Sequence, residues 1–408
     1  MTASPNALAT AVLVLAGLGA ATAPASAQAA PESCQGRTPT LVATADAEKL
    51  QGTEGADVIS IVGFDRVEVD ARGGDDLVCS SAWSDSVVRG GAGDDTLQDV
   101  LTRPRARYDG RTRLLGGPGA DLLVGAGGSR TMASYEDDRT GVTIRFDTGS
   151  VVAADGTDAL LGIRVAAGSP YRDTVVGSDG PDGYTSALEY DGDLQGDVID
   201  LGAGDDSVSA FHSTVDLGPG DDEGSGLDSV IRGGSGDDTL EIELSGTAVG
   251  GPGRDVLTGR ADMDLGGPEP SRIRLLGGPG ADRLSIPFAG QEAPVDCPEY
   301  CTRGRVAGGT GRDTLVLSRP GSVVDLAARR GRVPGGRSIL RSIEDVSGSR
   351  YGDVIRGSAR ANRIGGGRGD DVLLGGGGDD RLSGGSGRDR ADGGVGRDHC
   401  RAEVTTSC

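Results

Sequence analysis

The chain has 408 residues, of which 73 are Gly and 3% are aromatic, and its formal net charge is −22. So few aromatic residues exclude a conventional globular domain with a thick aromatic core, and the acid excess makes nucleic acid an unfavourable partner because like charges repel. The acidic residues are mostly Asp, which suits tight turns, whereas Glu suits helices. The composition therefore points to a turn-rich protein that binds cations.

The N-terminus has the pattern of a secretory signal peptide. Residues 7–23 form an uncharged run of small and apolar residues, and Ala25-Ser26-Ala27 then gives an A-x-A cleavage pattern. We therefore predict a signal peptide over residues 1–27 and a secreted, extracellular protein that diffuses away or stays at the cell surface. An uncleaved membrane anchor is the alternative, which the shortness of the apolar run disfavours. No membrane span is expected after cleavage.

The six cysteines of an exported chain are expected to form disulfides. They are Cys34, Cys79, Cys297, Cys301, Cys400 and Cys408. Six cysteines allow about 15 pairings, and sequence proximity favours Cys34–Cys79, Cys297–Cys301 and Cys400–Cys408. The last of these would pin the C-terminal tail. A zinc site is disfavoured, because the close pair Cys297-x-x-x-Cys301 has no second close pair to join it.

A nine-residue repeat, G-G-x-G-x-D-x-U-x with U a large apolar residue, dominates the sequence after residue 50. Its full G-G-x-G-x-D core begins at Gly90, Gly116, Gly233, Gly250, Gly277, Gly308, Gly366, Gly375, Gly384 and Gly393. Weaker copies begin at Gly52, Ala71, Gly168, Leu201, Leu217, Gly348 and Gly357. Chance does not generate ten such cores, even at this Gly content.

The repeats divide the exported chain into three regions. Residues 348–401 are six nonapeptides in unbroken register, and residues 402–408 form a tail. Insertions separate the cores of residues 28–347, where we expect an irregular β-solenoid with longer coils and scattered calcium-binding turns. A longer duplication is also visible, since residues 140–182 align with residues 320–362 without a gap at a constant offset of 180.

Each nonapeptide is interpreted as a turn followed by a short strand. Gly permits positive φ and close backbone approach, so the turns can leave carbonyl groups facing a cation. The x-U-x tripeptide is a strand with one inward side chain, and two nonapeptides make one coil of 18 residues. Stacked coils then fill a thin interior with Val, Leu and Ile.

Stacking brings the sixth residue of one turn beside the sixth residue of the turn 18 positions later. The two resulting columns of candidate metal ligands are Asp353, Asp371 and Asp389, and Asn362, Asp380 and Asp398. Adjacent carboxylates repel unless a cation lies between them. Ligands that are all oxygen suit a hard cation, and irregular carbonyl geometry favours Ca²⁺ over Mg²⁺. The sequence therefore predicts several bound calcium ions.

In these repeats the chain resembles the RTX, or haemolysin-type calcium-binding repeat, family. The resemblance implies an all-β fold, a parallel β-roll or β-solenoid, with calcium bound between successive turns and with further ligand carbonyls from the Gly-rich turns. It places at the calcium-ligand position Asp95, Asp121, Asp238, Asp255, Asp282, Asp313, Asp371, Asp380, Asp389 and Asp398. In two weaker copies Tyr171 and Tyr351 replace the fourth Gly, which weighs against calcium there.

No catalytic motif accompanies the repeats. The chain has two His residues, and it has no H-E-x-x-H motif, no G-x-S-x-G elbow and no phosphate loop. We therefore expect a calcium-binding protein that is not an enzyme, in which calcium drives folding and stability and whose role is structural or adhesive.

Two alternatives involve a polysaccharide. One is a solenoid that binds glycan or matrix through its face, and the less favoured one is a polysaccharide-modifying enzyme. Solenoids often present a groove to polysaccharide, and Arg272, Arg274 and Arg305 keep these interpretations open.

Overall fold

Short strands joined by Gly-rich turns make up the computed structural model of the chain. It describes residues 33–81, 85–100, 111–127, 130–187, 196–261, 271–285, 288–289, 302–334 and 336–408. Within these residues every regular element is a strand. Apart from two antiparallel insertions, successive strands lie alternately on two faces, and each pairs in parallel with a strand one coil away. The expected parallel β-solenoid is confirmed.

The first face contains the strands that directly follow Asp353, Asp371 and Asp389, together with the strands stacked on them further upstream. They are β1 (Leu41–Val42), β3 (Val58–Ser60), β5 (Leu77–Ser81), β7 (Thr96–Val100), β9 (Leu122–Val124), β11 (Thr143–Arg145), β12 (Ser150–Val152), β13 (Thr157–Leu161), β15 (Thr174–Ser178), β17 (Val198–Gly202), β19 (Thr214–Pro219), β23 (Arg272–Gly280), β26 (Thr302–Gly311), β28 (Val323–Asp325), β29 (Arg330–Val333), β30 (Gly336–Arg341), β32 (Val354–Arg356), β34 (Val372–Gly377), β36 (Arg390–Val395) and β38 (Val404–Thr406).

The second face contains the strands between them. They are β2 (Lys49–Gln51), β4 (Glu68–Asp70), β6 (Val87–Arg89), β8 (Thr112–Leu115), β10 (Thr131–Ser134), β14 (Val165–Ala167), β16 (Gly183–Thr185), β18 (Ser207–Phe211), β22 (Val256–Ala261), β24 (Arg283–Ser285), β25 (Phe288–Ala289), β27 (Thr314–Val316), β31 (Asp345–Ser347), β33 (Arg363–Arg368), β35 (Arg381–Ser386) and β37 (His399–Arg401). Two long strands, β20 (Glu223–Ser235) and β21 (Thr239–Val249), turn a corner and contribute to both faces.

Coil length varies along the solenoid. In the C-terminal roll Val354 pairs with Val372 and Val372 with Arg390, so the predicted 18-residue coil is confirmed there. Further upstream Val198 pairs with Thr214 and Thr214 with Val230, a coil of 16 residues. This stretch differs from the expectation of longer coils, because its strands are joined by tight turns with no insertion.

Two antiparallel insertions interrupt the first face. The strand order is β9, β13, β12, β11, β15 in one and β26, β30, β29, β28, β32 in the other. Their registers differ by 180 residues, since Thr143 pairs with Val152 as Val323 pairs with Arg332. The sequence duplication is therefore a duplicated structural unit.

The interior is narrow and is filled by apolar side chains from the two faces. In the C-terminal roll Ile355, Leu373 and Ala391 stack in one buried column, as the U positions of the repeat predict. The opposite column places Leu382 above Ile364 and below Cys400. Strand residues alternate between this core and solvent, so the outward positions of each face are free to carry polar and charged side chains.

Two disulfides close the ends of the described chain. Cys34 is bonded to Cys79 and Cys400 to Cys408, as proximity predicts. Cys297, Cys301 and the predicted signal peptide lie outside the described residues. Among the residues that are described, no helix is long and apolar enough to cross a membrane.

Candidate metal centres

The sixth residues of stacked turns are joined by hydrogen bonds into ladders along both edges of the solenoid. The backbone N–H of Asp353 donates to Oδ1 of Asp371 (2.8 Å), and that of Asp371 donates to Oδ1 of Asp389 (3.0 Å). Asn362 and Asp380 are linked in the same way (2.8 Å). The longest ladder runs through Asp206, Asp222, Asp238, Asp255, Asp282 and Asp313. Neighbouring coils therefore hold their carboxylates side by side, as predicted.

The second carboxylate oxygen of most ladder residues is buried and has no hydrogen-bond partner. Thirteen turn Asp residues of the described chain share this property: Asp76, Asp95, Asp121, Asp206, Asp222, Asp238, Asp255, Asp282, Asp313, Asp371, Asp380, Asp389 and Asp398. All except Asp398 are at most 3% exposed. A buried charge without a partner is costly, so each of these oxygens requires a proton or a cation.

The unpartnered oxygen lies against the Gly-rich start of its own turn. A Cβ atom added to Gly366 would collide with Oδ2 of Asp371 and would lie 2.7 Å from the carbonyl oxygen of Gly384 in the next turn. The first Gly of the repeat thus provides the space in which a carboxylate oxygen approaches backbone carbonyl groups. This is an all-oxygen donor set, which fits a hard cation such as Ca²⁺.

Side chains alone cannot complete such a site. Among the described residues, no group of three or more His, Cys, Asp or Glu side chains lies close enough to hold a metal ion. A cation bound at these turns therefore takes its remaining ligands from main-chain carbonyl groups, which is the role that the Gly-rich sequence predicts.

Burial and mutual repulsion raise the pKa values of the ladder carboxyl groups. Burial raises the pKa of Asp95 to about 7, with a further contribution from the neighbouring carboxylates of Asp76 and Asp75. Burial likewise raises the pKa of Asp121 to about 8 and that of Asp371 to about 6. Without a cation, these carboxyl groups therefore take up protons at higher pH in the folded chain than an ordinary Asp does.

The comparison with known families agrees with this geometry. The model described as "RTX calcium-binding nonapeptide repeat (4 copies)" matches residues 84–98, 108–132, 223–241, 347–382 and 365–400. This protein carries RTX calcium-binding repeats. A comparison with curated proteins found no significant match.

The structure separates the twelve metal-ligand candidates of the RTX repeats into two groups. Ten of them have the unpartnered oxygen, whereas Asp353 and Asn362 do not. Both oxygens of Asp353 accept backbone N–H groups, from Ser349 (2.7 Å) and Ser322 (3.2 Å). The side chain of Asn362 accepts the N–H of Ser358 and donates to the carbonyl of Glu344. These two turns are internally satisfied.

The second residue of the turn decides which type forms. Five turns begin with Gly-Ser or Gly-Thr, and in each the N–H of the second residue donates to the side chain four positions later. The second residues are Thr53, Ser169, Ser178, Ser349 and Ser358. We call these turns self-capped, and those with the unpartnered oxygen open.

In the open turns the second residue has positive φ, for example 107° at Gly91 and 112° at Gly234. Its N–H then points along the solenoid axis, and that of Gly91 donates to the carbonyl of Gly116 in the next coil. The carboxylate of the open turn consequently loses a donor that the self-capped turn retains.

Three open turns were not among the sequence-predicted metal ligands. Asp76, Asp206 and Asp222 end the weaker copies that begin at Ala71, Leu201 and Leu217. Their second residues nevertheless have positive φ, even Arg72, at 75°. The Gly-Asp-Asp ending of these three copies was the signal that could have identified them.

At another position along the ladders, a buried hydroxyl group contacts two carboxyl groups. Tyr184 is buried, and its hydroxyl lies 2.9 Å from Oδ2 of both Asp173 and Asp197. A phenol has one proton to donate, so one contact requires a protonated carboxyl group. Burial raises the pKa of Asp173 to about 6, which fits that requirement.

Proposed function

We propose that the protein is an exported RTX-repeat solenoid in which calcium binding is coupled to folding, with a structural or adhesive role outside the cell. The observation that carries the proposal is the set of thirteen buried Asp oxygens without partners on stacked coils. At neutral pH such coils stack only if the carboxylates are neutralised. Bound calcium supplies that positive charge, and the turns supply carboxylate and carbonyl oxygens to hold it.

Export is supported by features at the two ends of the chain. Ala25-Ser26-Ala27 gives a cleavage pattern, and the disulfides Cys34–Cys79 and Cys400–Cys408 are of the kind that persists in oxidising compartments. Extracellular calcium modules bind with dissociation constants of about 10⁻⁴–10⁻³ M. Intact-mass measurement of protein recovered from the culture medium should give the mass of a chain that begins at Gln28. A chain that starts at Met1 would contradict the proposal of export.

Enzymatic activity is not part of the proposal. Paired acids such as Asp94-Asp95 could in principle act as glycosidase carboxylates. In this chain Asp95 is a ladder residue, and the N–H of Asp94 donates to Oδ1 of Asp75 in the preceding coil (3.0 Å). These hydrogen bonds between stacked coils account for the presence of both acids.

The test is a calcium titration of the disulfide-bonded protein at neutral pH, followed by far-ultraviolet circular dichroism and calorimetry. We expect weak β signal in chelator, a cooperative gain as calcium is added, and several ions bound per chain. Magnesium at the same concentration should produce less of this gain, because it demands a regular octahedral shell. A fold that is complete in chelator would contradict the coupling.

A further inference from the structure

An arginine-rich surface covers the outward side of four neighbouring strands on the first face. Strand register places Arg272 of β23, Arg303 of β26, Arg337 of β30 and Arg332 of β29 in one row. A second row contains Arg274, Arg305 and Arg330. All seven are exposed, and they line a groove of about 1010 Å³. We call this surface the arginine groove.

Six of the seven arginines of the arginine groove form no ion pair with a described residue. Some arginines elsewhere are paired, as Arg312 is with Asp345. The six groove arginines without an ion pair to a described residue are Arg272, Arg274, Arg303, Arg305, Arg330 and Arg337. The carboxylate that lines the groove, Asp325, accepts the N–H of Ala328 (2.7 Å). In a chain with 62 acidic residues, this concentration of unpaired positive charge calls for an anion from outside.

The duplicated unit shows that the fold does not need these arginines. At the offset of 180, the positions of Arg330, Arg332 and Arg337 are occupied by Ser150, Val152 and Thr157 in the same antiparallel arrangement. One backbone thus carries a neutral surface in the first unit and a cationic one in the second. The positive charge is therefore not required for this backbone arrangement.

We propose that the arginine groove binds a linear acidic polysaccharide through its carboxylate groups. The arginines of each row are attached to neighbouring strands about 4.8 Å apart, which is close to the length of one sugar residue in an extended polysaccharide. Each guanidinium can hold a carboxylate with two parallel hydrogen bonds. Ile339, which is 50% exposed and lies in the second row between Arg305 and Arg330, offers an apolar contact for the face of a sugar ring.

Nucleic acid fits the groove less well than a polysaccharide. Binding of single strands depends on aromatic side chains against which bases stack, and none of the described residues that line the groove is aromatic. The net charge of −22 repels any polyanion, acidic polysaccharide included, and this repulsion is screened beyond about 8 Å at physiological salt. A short stretch of acidic polysaccharide can contact the groove without lying beside the Asp-bearing turns at the edges of the solenoid.

The experiment measures binding of short oligogalacturonates to the calcium-loaded protein by isothermal titration calorimetry, with methyl-esterified oligosaccharides as the neutral ligand. We expect the acidic ligand to bind and the ester not to. The triple variant Arg330→Ser, Arg332→Val, Arg337→Thr, which carries the residues of the first unit, should weaken binding by at least about tenfold. Raising the salt to about 1 M should weaken binding by the wild type as well.

A matched variant controls for net charge and for folding. Arg363→Ser, Arg381→Val and Arg390→Thr remove three exposed strand arginines from the C-terminal roll, outside the groove, and should change affinity by less than about twofold. Circular dichroism with calcium verifies that each variant is folded, so failure of the proposed calcium role is seen separately. The proposal is overturned by absence of binding, by equal losses in both triple variants, or by tighter binding of single-stranded DNA. Dimerisation of the wild type that the groove variant abolishes would also overturn it, since the occupant would then be a second copy.

Discussion

The two carboxylate oxygens of each ladder Asp have different roles. Oδ1 accepts the N–H of the preceding coil, as Asp371 does from Asp353, and so fixes the stacking register. In an open turn Oδ2 is left without a donor, whereas in a self-capped turn it accepts the N–H of a nearby Ser or Thr. The backbone angle of one residue, the second of the turn, therefore determines whether the carboxylate needs an external partner.

Replacing an open-turn carboxylate by its amide should stabilise the calcium-free protein and weaken its response to calcium. In Asp371→Asn the Oδ1 acceptor is kept, while the amide nitrogen can donate to a carbonyl as Asn362 does to Glu344. Because burial raises the pKa of Asp371 to about 6, removing its charge should stabilise the calcium-free chain by about 1–3 kcal/mol at neutral pH. Melting curves with and without calcium measure both effects.

The matched control for this variant is Asp353→Asn in a self-capped turn. Both oxygens of Asp353 accept N–H groups, so the amide nitrogen would face a donor and destabilise the fold with or without calcium. The increase in melting temperature on adding calcium should be preserved. If the two variants behaved alike, the distinction between open and self-capped turns would be wrong.

Converting a self-capped turn into an open one should add a calcium site. Residues 52–57 read G-T-E-G-A-D, which differs from the full core only at Thr53. The N–H of Thr53 donates to Asp57 (2.7 Å), and this bond holds the pKa of Asp57 below its usual value. Thr53→Gly permits the positive φ of an open turn, and native mass spectrometry should then detect one more calcium ion per chain. Thr53→Ala, which removes the hydroxyl but keeps the backbone preference, should add none.

At the scale of elements, the ladder of Asp353, Asp371 and Asp389 ends in the last coil at a residue of a different type. Glu403 takes the place of an Asp and accepts the N–H of Asp389 (2.8 Å), and β38 then pairs with β36. The disulfide Cys400–Cys408 spans this coil. It holds a cap on strands that would otherwise end the solenoid with unpaired backbone groups.

Loss of this disulfide should loosen the C-terminal end alone. In Cys400→Ser, Cys408→Ser the last coil should lose about 2 kcal/mol of stability. Each coil contacts only its neighbours, so the effect should fade along the solenoid. Hydrogen-exchange mass spectrometry should show faster exchange over β36 to β38 and unchanged exchange over β15 to β19. Faster exchange throughout would mean that the solenoid unfolds as one cooperative unit.

Sequence patterns predicted the elements whose geometry follows from the repeat itself. The unbroken nonapeptides of residues 348–401 dictate an 18-residue coil, and the apolar column Ile355, Leu373 and Ala391 follows from it. The direction of β12 and β29 could not be predicted, because alternation of inward and outward residues is the same in parallel and antiparallel strands.

The same antiparallel pairing explains why the whole arginine groove could not be identified from the sequence. Sequence inspection singled out Arg272, Arg274 and Arg305, but only the register of β29 and β30 brings Arg330 and Arg337 beside them. In the candidate metal centres the open or self-capped state depends on φ at the second residue of the turn. Motif letters specify that angle when the residue is Gly and leave it undetermined for a residue such as Arg72.

At the scale of the whole molecule, the apolar interior is thin and the carboxylates lie at its two edges. The edge that contains Asp371 carries open turns near the N-terminus, at Asp76, Asp95 and Asp121. The edge that contains Asp380 carries them in the middle of the chain. Both edges carry them in the C-terminal roll, at Asp371 and Asp380. Buried charge is thus present near both ends and in the middle of the solenoid, so its neutralisation affects the stability of each of these regions.

The calcium-free protein should therefore become less stable as the pH rises from about 4 to about 8, the reverse of ordinary acid denaturation. Burial raises the pKa of Asp206 to about 7 and that of Asp121 to about 8, whereas an unfolded Asp titrates near 4. Between these values the folded chain binds more protons than the unfolded chain, so each rise in pH costs stability. Calcium requires the deprotonated carboxylates, so its stabilising effect should grow over the same range. Melting temperatures should be measured at several pH values in chelator and in calcium. The difference between the two should widen as the pH rises above about 4. Calcium-free stability that increases with pH would show that the ladder carboxylates are already ionised in the folded chain.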